Sequence, residues 1–278
     1  MIVKPMVRNN ICLNAHPTGC EALVNDWIER TVASRGSIVE AALASGKPLP
    51  KAVLVLGCST GYGLATRIGA AFACGASTIG VSFEREPNDK KPASAGWYDN
   101  RAFDRAAKAS GLYSVTYNLD AFSDLTRAEV IRRARLDGLQ FDQVIYSLAS
   151  PVRVDPKTGV MHKSTLKPLG TSFSGTTVDA FTGVMSEVSV KPASEDEAAE
   201  TVKVMGGEDW ELWIRALADA DVLARGCVTM AYSYMGPEHS WPVYRYGTIG
   251  RAKEHLERTA PILTGVLKDL GGKAFVSI

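Results

Sequence analysis

Tyr244 and Lys253 enclose eight residues in the segment Tyr-Arg-Tyr-Gly-Thr-Ile-Gly-Arg-Ala-Lys. A phenol beside an ammonium can steady an oxygen that is turning negative. The positive charge favours the phenolate and strengthens its hydrogen bond to the developing oxyanion. Far upstream, Gly57-Cys-Ser-Thr-Gly61-Tyr-Gly63 places three glycines in seven residues. Glycines let a backbone turn tightly and approach a pyrophosphate, which then rests on the N-terminal amides of the next helix. A phosphate cradle and an oxyanion partner together point to hydride transfer from a nicotinamide cofactor to a carbonyl or an enoyl thioester. Tyr and Lys are common residues, so their spacing alone fits equally well a ring capping the core and a solvated helical lysine. The glycine cluster is more specific, because a plain strand-to-helix turn needs only one glycine.

Such residues need a sheet to carry them. Residues 52–56 (Ala-Val-Leu-Val-Leu) are a continuous apolar run, expected of a strand buried on both faces, and they lead straight into the glycine turn. A helix follows with Leu64, Ile68 and Phe72 on one side and Gly75 as its stop. Further strands are expected at 78–83, 113–119 and 143–148, with helices at 103–110 and near 125–137, while 87–100 reads as loop. Residues 152–205 are polar, with turn signals at Lys157-Thr-Gly159 and Phe181-Thr-Gly183, and read as an insertion containing a hairpin. A helical pattern resumes at Glu208, with Trp210, Trp213, Ile214 and Leu217 on one core-facing side. A strand at 227–234, a helix over 248–268 that carries Lys253, and a strand at 274–278 complete the chain. Strand–helix alternation predicts a Rossmann-like α/β fold. It is a doubly wound parallel sheet with helices on both faces and right-handed crossovers. A single NAD-binding domain is expected over 1–278, its sheet drawn from about 50–150 and 205–278 and its insertion at about 151–205.

In a sheet of this kind, ligands sit beyond the carboxyl ends of the strands. Glu84 closes the second strand. A carboxylate there accepts hydrogen bonds from the adenosine ribose and repels a 2′-phosphate, which favours NADH over NADPH; Arg85 beside it would soften that preference. Asp120 and Ala121 are placed to flank an adenine, and Leu148 and Ala149 to lie against the nicotinamide-side ribose. Cys58 reads as a small side chain in the glycine loop, one open to alkylation if exposed.

Composition removes other functions. A formal charge of +1 gives no electrostatic case for nucleic acid or an anionic membrane surface. No apolar run approaches the ~18–20 residues of a membrane span, and the N-terminus has no signal-peptide core. Five cysteines without a C-x-x-C pair argue for free thiols in a reducing compartment, so a cytoplasmic protein is expected. Four scattered histidines give no metal-ligand spacing, and no metal is expected.

The assembled residues resemble the NADH-dependent trans-2-enoyl-CoA reductases, a group that includes FabV-type enoyl-ACP reductases. The resemblance runs the length of the chain, through Met1-Ile-Val-Lys-Pro-Met-Val-Arg8, His16-Pro-Thr-Gly-Cys20, Gly57 to Ala65, Ser82-Phe-Glu84, Gly96-Trp-Tyr98, Asp120-Ala-Phe-Ser123, Tyr146 to Arg153, Val204 to Glu211 and Tyr234 to Lys253. It implies NADH-dependent reduction of the C2–C3 double bond of enoyl thioesters, carried by CoA or ACP, in fatty acid metabolism. Tyr244 is similar to the family's catalytic tyrosine, Lys253 to the lysine that supports it and binds the cofactor, and Tyr234 to a second tyrosine that contacts substrate. Gly57, Cys58, Ser59, Thr60, Gly61, Tyr62, Phe83, Glu84, Asp120, Ala121, Leu148 and Ala149 match its NADH-binding positions. The resemblance also implies a monomer. Family members continue past a strand like 274–278 into a segment that covers the acyl chain, so a fragment or shortened relative with an incomplete pocket is expected. Two readings stand beside it: a short-chain carbonyl reductase, from the glycine loop and the Tyr/Lys pair alone, and a non-catalytic NAD-binding module.

Overall fold

The computed structural model describes residues 4, 6–8, 11–12, 14–179 and 181–278; Met1, Ile2, Val3 and Pro5 of the opening block lie outside them. The apolar run after Lys51 forms strand β1, Ala52–Leu56, and every one of its residues is buried. Leu54 and Leu56 pack with Trp210 and Trp213, while Val53 and Val55 pack with Ala70 and Ile145. Alternate side chains thus enter two different cores, which is why the run shows no polar alternation.

Five more strands are parallel to it: β2, Ser77–Ser82; β3, Ser114–Asn118; β4, Phe141–Tyr146; β5, Leu223–Tyr232; and β6, Lys273–Ser277. Their order across the sheet is β3-β2-β1-β4-β5-β6. The chain therefore winds outward one way from β1 and the other way from β4. That reversal is the doubly wound plan, and its switch point lies between β1 and β4.

Helix α1, Pro17–Ala33, is followed by α2, Arg35–Ala44, neither of which the sequence reading had assigned. Helix α3, Gly61–Ile68, continues as a π-helical turn through Ala73 and stops at Gly75, whose φ is +73°. With α4, Ala95–Ala109, the helices α1 and α3 bury Val24, Leu64, Ile68, Phe72 and Phe103 on one face of the sheet. Helix α5, Asp124–Leu136, covers the other face. There it joins two later helices, which with α6, Glu195–Met205, are α7, Glu208–Asp219, and α8, Thr248–Val266. The side chains of Trp210, Trp213, Ile214 and Leu217 on α7 are wholly buried. Burial of each contributes about 1.5–3 kcal/mol. Their indole nitrogens donate to Thr229 Oγ1 at 2.8 Å and to the Ala121 carbonyl at 2.9 Å.

Two expectations need correction. Residues 95–100, read as loop, are the first turns of α4. Their polar residues face inward, where Asn100 Nδ2 donates to Ser82 Oγ at 2.8 Å, so polarity there marks a buried network and not a loop. The insertion contains hairpins at both turn signals, as expected, and holds besides them a helix where none was expected. Val152–Val154 pairs with Met161–Lys163, and Phe173–Val178 with Met185–Val190. Helix α6 was legible as Ser194-x-x-Glu197, whose reciprocal capping box is present. Among the described residues no helix is long and apolar enough to cross a membrane.

Candidate functional site

The glycine turn is built to a tolerance that admits no side chain. Gly57 has φ +86°, and a Cβ there would sit 2.2 Å from the Ser147 carbonyl oxygen. A Cβ on Gly63 would lie 1.9 Å from the Gly57 carbonyl oxygen. Gly61, with φ +55°, faces open space. Thr60 precedes α3 in an extended conformation, and its side chain makes no cap. The first amide to bond within the helix is that of Leu64, to the Thr60 carbonyl. The three amides before it are left for a ligand or water, the anion-binding arrangement of a helix N-terminus. Arg67 on α3 reaches across the sheet to Thr116 Oγ1 at 2.8 Å, Ser114 Oγ at 3.0 Å and the Val115 carbonyl at 2.9 Å. It passes directly over Gly80, where a Cβ would meet its Nη1 at 2.7 Å. Cys58 is fully buried against Asn100 and Arg67, and burial pushes its thiol up. Its side chain is closed to alkylating reagents.

Above this turn lies a cleft of about 430 Å³ lined by Gly57, Ser59, Thr60, Phe83, Glu84, Asp120, Ala121, Leu148 and Ala149. Residues from the ends of four strands meet there, as the topology requires. Glu84 accepts from Ser59 Oγ at 2.6 Å and from Ser94 Oγ at 2.5 Å, and its amide donates to Asn118 Oδ1 at 2.7 Å. Asp120 Oδ1 accepts from the Phe122 amide at 2.9 Å. Arg85 turns away: its guanidinium donates to the Pro92 carbonyl at 3.2 Å, and it lines a separate hollow with His16 and Cys20. It therefore does not offset the charge of Glu84 in the cleft. Side-chain-free glycines, free amides and a fixed carboxylate fit a dinucleotide.

Lys253 projects from the second turn of α8 into a pocket of about 330 Å³ that it shares with Tyr234 and Tyr244. Its Nζ lies 3.5 Å from the centre of the Tyr234 ring and donates to Ser233 Oγ at 3.0 Å and to the Tyr234 carbonyl. The Tyr234 ring meets Tyr244 edge-on at 6.1 Å. The direct Lys253–Tyr244 pairing expected from sequence is replaced by this relay, since among the described residues the lysine bonds only Ser233 and Tyr234. The cause lies in the backbone. Ser233 and Tyr234, which follow β5, meet the Lys253 side chain directly, whereas Tyr244 belongs to the turn before α8 and its amide bonds the Ser240 carbonyl. Burial pulls the Lys253 ammonium down to about 8, and burial, with Tyr244 nearby, pushes the Tyr234 phenol up. Ser233 escaped the sequence reading, although its place at a strand's carboxyl end was a usable signal.

A hollow of about 170 Å³ shares wall residues with both spaces. Leu148 and Ala149 wall its cleft side, Tyr234 and Lys253 its far side, and Tyr62 its rim. Tyr146 also lines it, and its hydroxyl donates to the buried Asp209 at 3.1 Å. Burial lifts Asp209 to about 6 even though Arg127 pairs with it at 3.0 Å.

Residues 2–89 match the family model for the NAD(P)H binding domain of trans-2-enoyl-CoA reductase, and residues 91–278 that for the trans-2-enoyl-CoA reductase catalytic region. The trans-2-enoyl-CoA reductase (NADH) of Treponema denticola is 58% identical over 278 residues, which are 100% of this chain and 68% of that protein. The enoyl-[acyl-carrier-protein] reductase (NADH) of Opitutus terrae is 51% identical over the same shares. The crystal structure of the Treponema denticola enzyme in complex with NAD matches this fold with a TM-score of 0.94 at 59% identity, covering 100% of this chain and 68% of that one. Matched along its whole length in sequence and in the path of its backbone, this chain belongs to the trans-2-enoyl-CoA reductase family.

Proposed function

We propose that this chain uses NADH to reduce the C2–C3 double bond of trans-2-enoyl thioesters, with Tyr244, Tyr234 and Lys253 acting at the acyl end. The observation that carries this reading is a hollow between the cleft and the tyrosine pocket that shares Leu148 and Ala149 with the first and Tyr234 and Lys253 with the second. Bound NADH supplies a hydride to C3 of the substrate. The amides opening α3 would hold the pyrophosphate, with Gly57 and Gly63 keeping the backbone close. Glu84 would accept from the adenosine ribose hydroxyls, Asp120 and Ala121 would hold the adenine, and Leu148 and Ala149 would support the nicotinamide-side ribose. As electron density moves onto the thioester oxygen, the Tyr244 hydroxyl donates to it. Tyr234 lines the same pocket, and the Lys253 charge behind it favours the negative oxygen. C2 of the enolate then takes up a proton from water, which completes the reduction.

We read residues 1–278 as one domain, because the pairing of β1 with β4 and of β2 with β3 joins the two matched regions in a single sheet. A cytoplasmic monomer is our reading of its state; free thiols and near-zero net charge support the compartment. The test of function follows loss of NADH absorbance with crotonyl-CoA. Tyr244→Phe should lower turnover by about 10²–10³, the scale of removing one oxyanion donor, while NADH binding by fluorescence stays within about twofold. Full turnover in that variant removes Tyr244 from the chemistry.

A further inference from the structure

We infer that Ser94 is a positioning residue for cofactor choice: with Gly96 behind it, it holds the Glu84 carboxylate in one pose, facing the ribose end of the cleft. The inference rests on the proposed binding of NADH there and adds a device that enforces its preference over NADPH. A glutamate at a strand end is ordinarily free to swing into solvent, and one that swings away repels nothing. Here Oε1 accepts the Ser59 hydroxyl at 2.6 Å and Oε2 accepts the Ser94 hydroxyl at 2.5 Å, so both oxygens are pinned. Each keeps a lone pair for a ribose hydroxyl.

The two serines come from opposite sides. Ser59 belongs to the glycine turn, and Ser94 is the N-cap residue of α4. An N-cap serine normally bonds an amide of its own helix, but the Ser94 side chain makes no such cap and is given to Glu84 instead. Gly96 leaves the space this needs. A Cβ there would lie 2.3 Å from Glu84 Oε1 and 2.7 Å from Ser59 Cβ. Removing the Ser94 hydroxyl releases Oε2 and lets the carboxylate rotate, which weakens its bonds to a ribose and its repulsion of a 2′-phosphate together.

The experiment measures dissociation constants for NADH and NADPH by nicotinamide fluorescence, with KM and kcat for both, in wild type, Ser94→Ala and Ser94→Thr. Ser94→Ala should weaken NADH about tenfold, the scale of a hydrogen bond to a charged group, and bring NADPH closer. The preference ratio should then fall at least that far while kcat at saturating NADH stays within about twofold. Ser94→Thr keeps the hydroxyl and should restore the ratio. Gly96→Ala should move the ratio the same way. An unchanged ratio in Ser94→Ala, or equal weakening of both nucleotides, overturns the inference and leaves the proposed function standing. A wild-type chain that binds neither nucleotide overturns both.

Discussion

Lys253 holds a charge in a half-buried place, and that has a measurable consequence. Its ammonium is pulled down to about 8 by desolvation, with Glu257 partly opposing the shift. The charged form is therefore present below pH 8 and is lost as pH rises through that value. If the charge behind Tyr234 assists the thioester oxygen, turnover should fall on the alkaline side with an apparent pKa of about 8. Lys253→Arg keeps its charge at every accessible pH, so its alkaline limb should move above about 9, towards the tyrosine range, even if the fork of the guanidinium fits less well and the plateau is lower. Rate–pH profiles at saturating NADH and crotonyl-CoA check this. A limb near 8 in both proteins would assign it to another group.

At the scale of elements, the glycine turn separates positions that look alike in sequence. Gly63 must be glycine for the fold, because its Cβ would strike the Gly57 carbonyl; Gly61 has free space and only its φ of +55° to satisfy. Gly63→Ala should cost about 1–3 kcal/mol of stability together with NADH binding. Gly61→Ala should cost about 1–2 kcal/mol of backbone strain and act mainly on NADH affinity. Thermal melts beside fluorescence titrations check both, and an unchanged melt in Gly63→Ala would contradict the close contact with the Gly57 carbonyl. Such junctions were readable because their rules are local: an apolar run, a tight turn, a helix start. The start of α4 was not, because Asn100 looks like a loop residue until Ser82 is placed beneath it. The partner of Lys253 was not readable either, since Ser233 and Tyr234 lie some twenty residues before it and reach it only in three dimensions.

Across the whole molecule, strand order decides where a ligand can sit. The sheet reverses between β1 and β4, and Gly57 and Ser147, which follow those strands, are in contact at that point. Strand–helix alternation foretold a parallel sheet, and the order across it became visible only in three dimensions, because nothing local records which side of β1 each later strand takes. Binding at that seam engages residues after β1, β2, β3 and β4 at once, so it should stabilise the folded chain as a unit. At a hundred times its dissociation constant NADH should add about 2.7 kcal/mol. That should raise the melting temperature by roughly 5–10 °C. NADPH at equal concentration should raise it less, and equal shifts would show that Glu84 does not discriminate.

The guanidinium of Arg67 ties the helix of the glycine turn to β2, through Thr78 Oγ1 at 3.3 Å, and to β3, through Ser114, Val115 and Thr116. Its hydrogen bonds to β3 and its seat above Gly80 fix that helix before any dinucleotide arrives. The entropy of ordering the receptor is thus incurred when the chain folds, not when it docks its ligand. Association then resembles the closing of a preassembled mould, and affinity is governed by what the nucleotide itself brings to the surface.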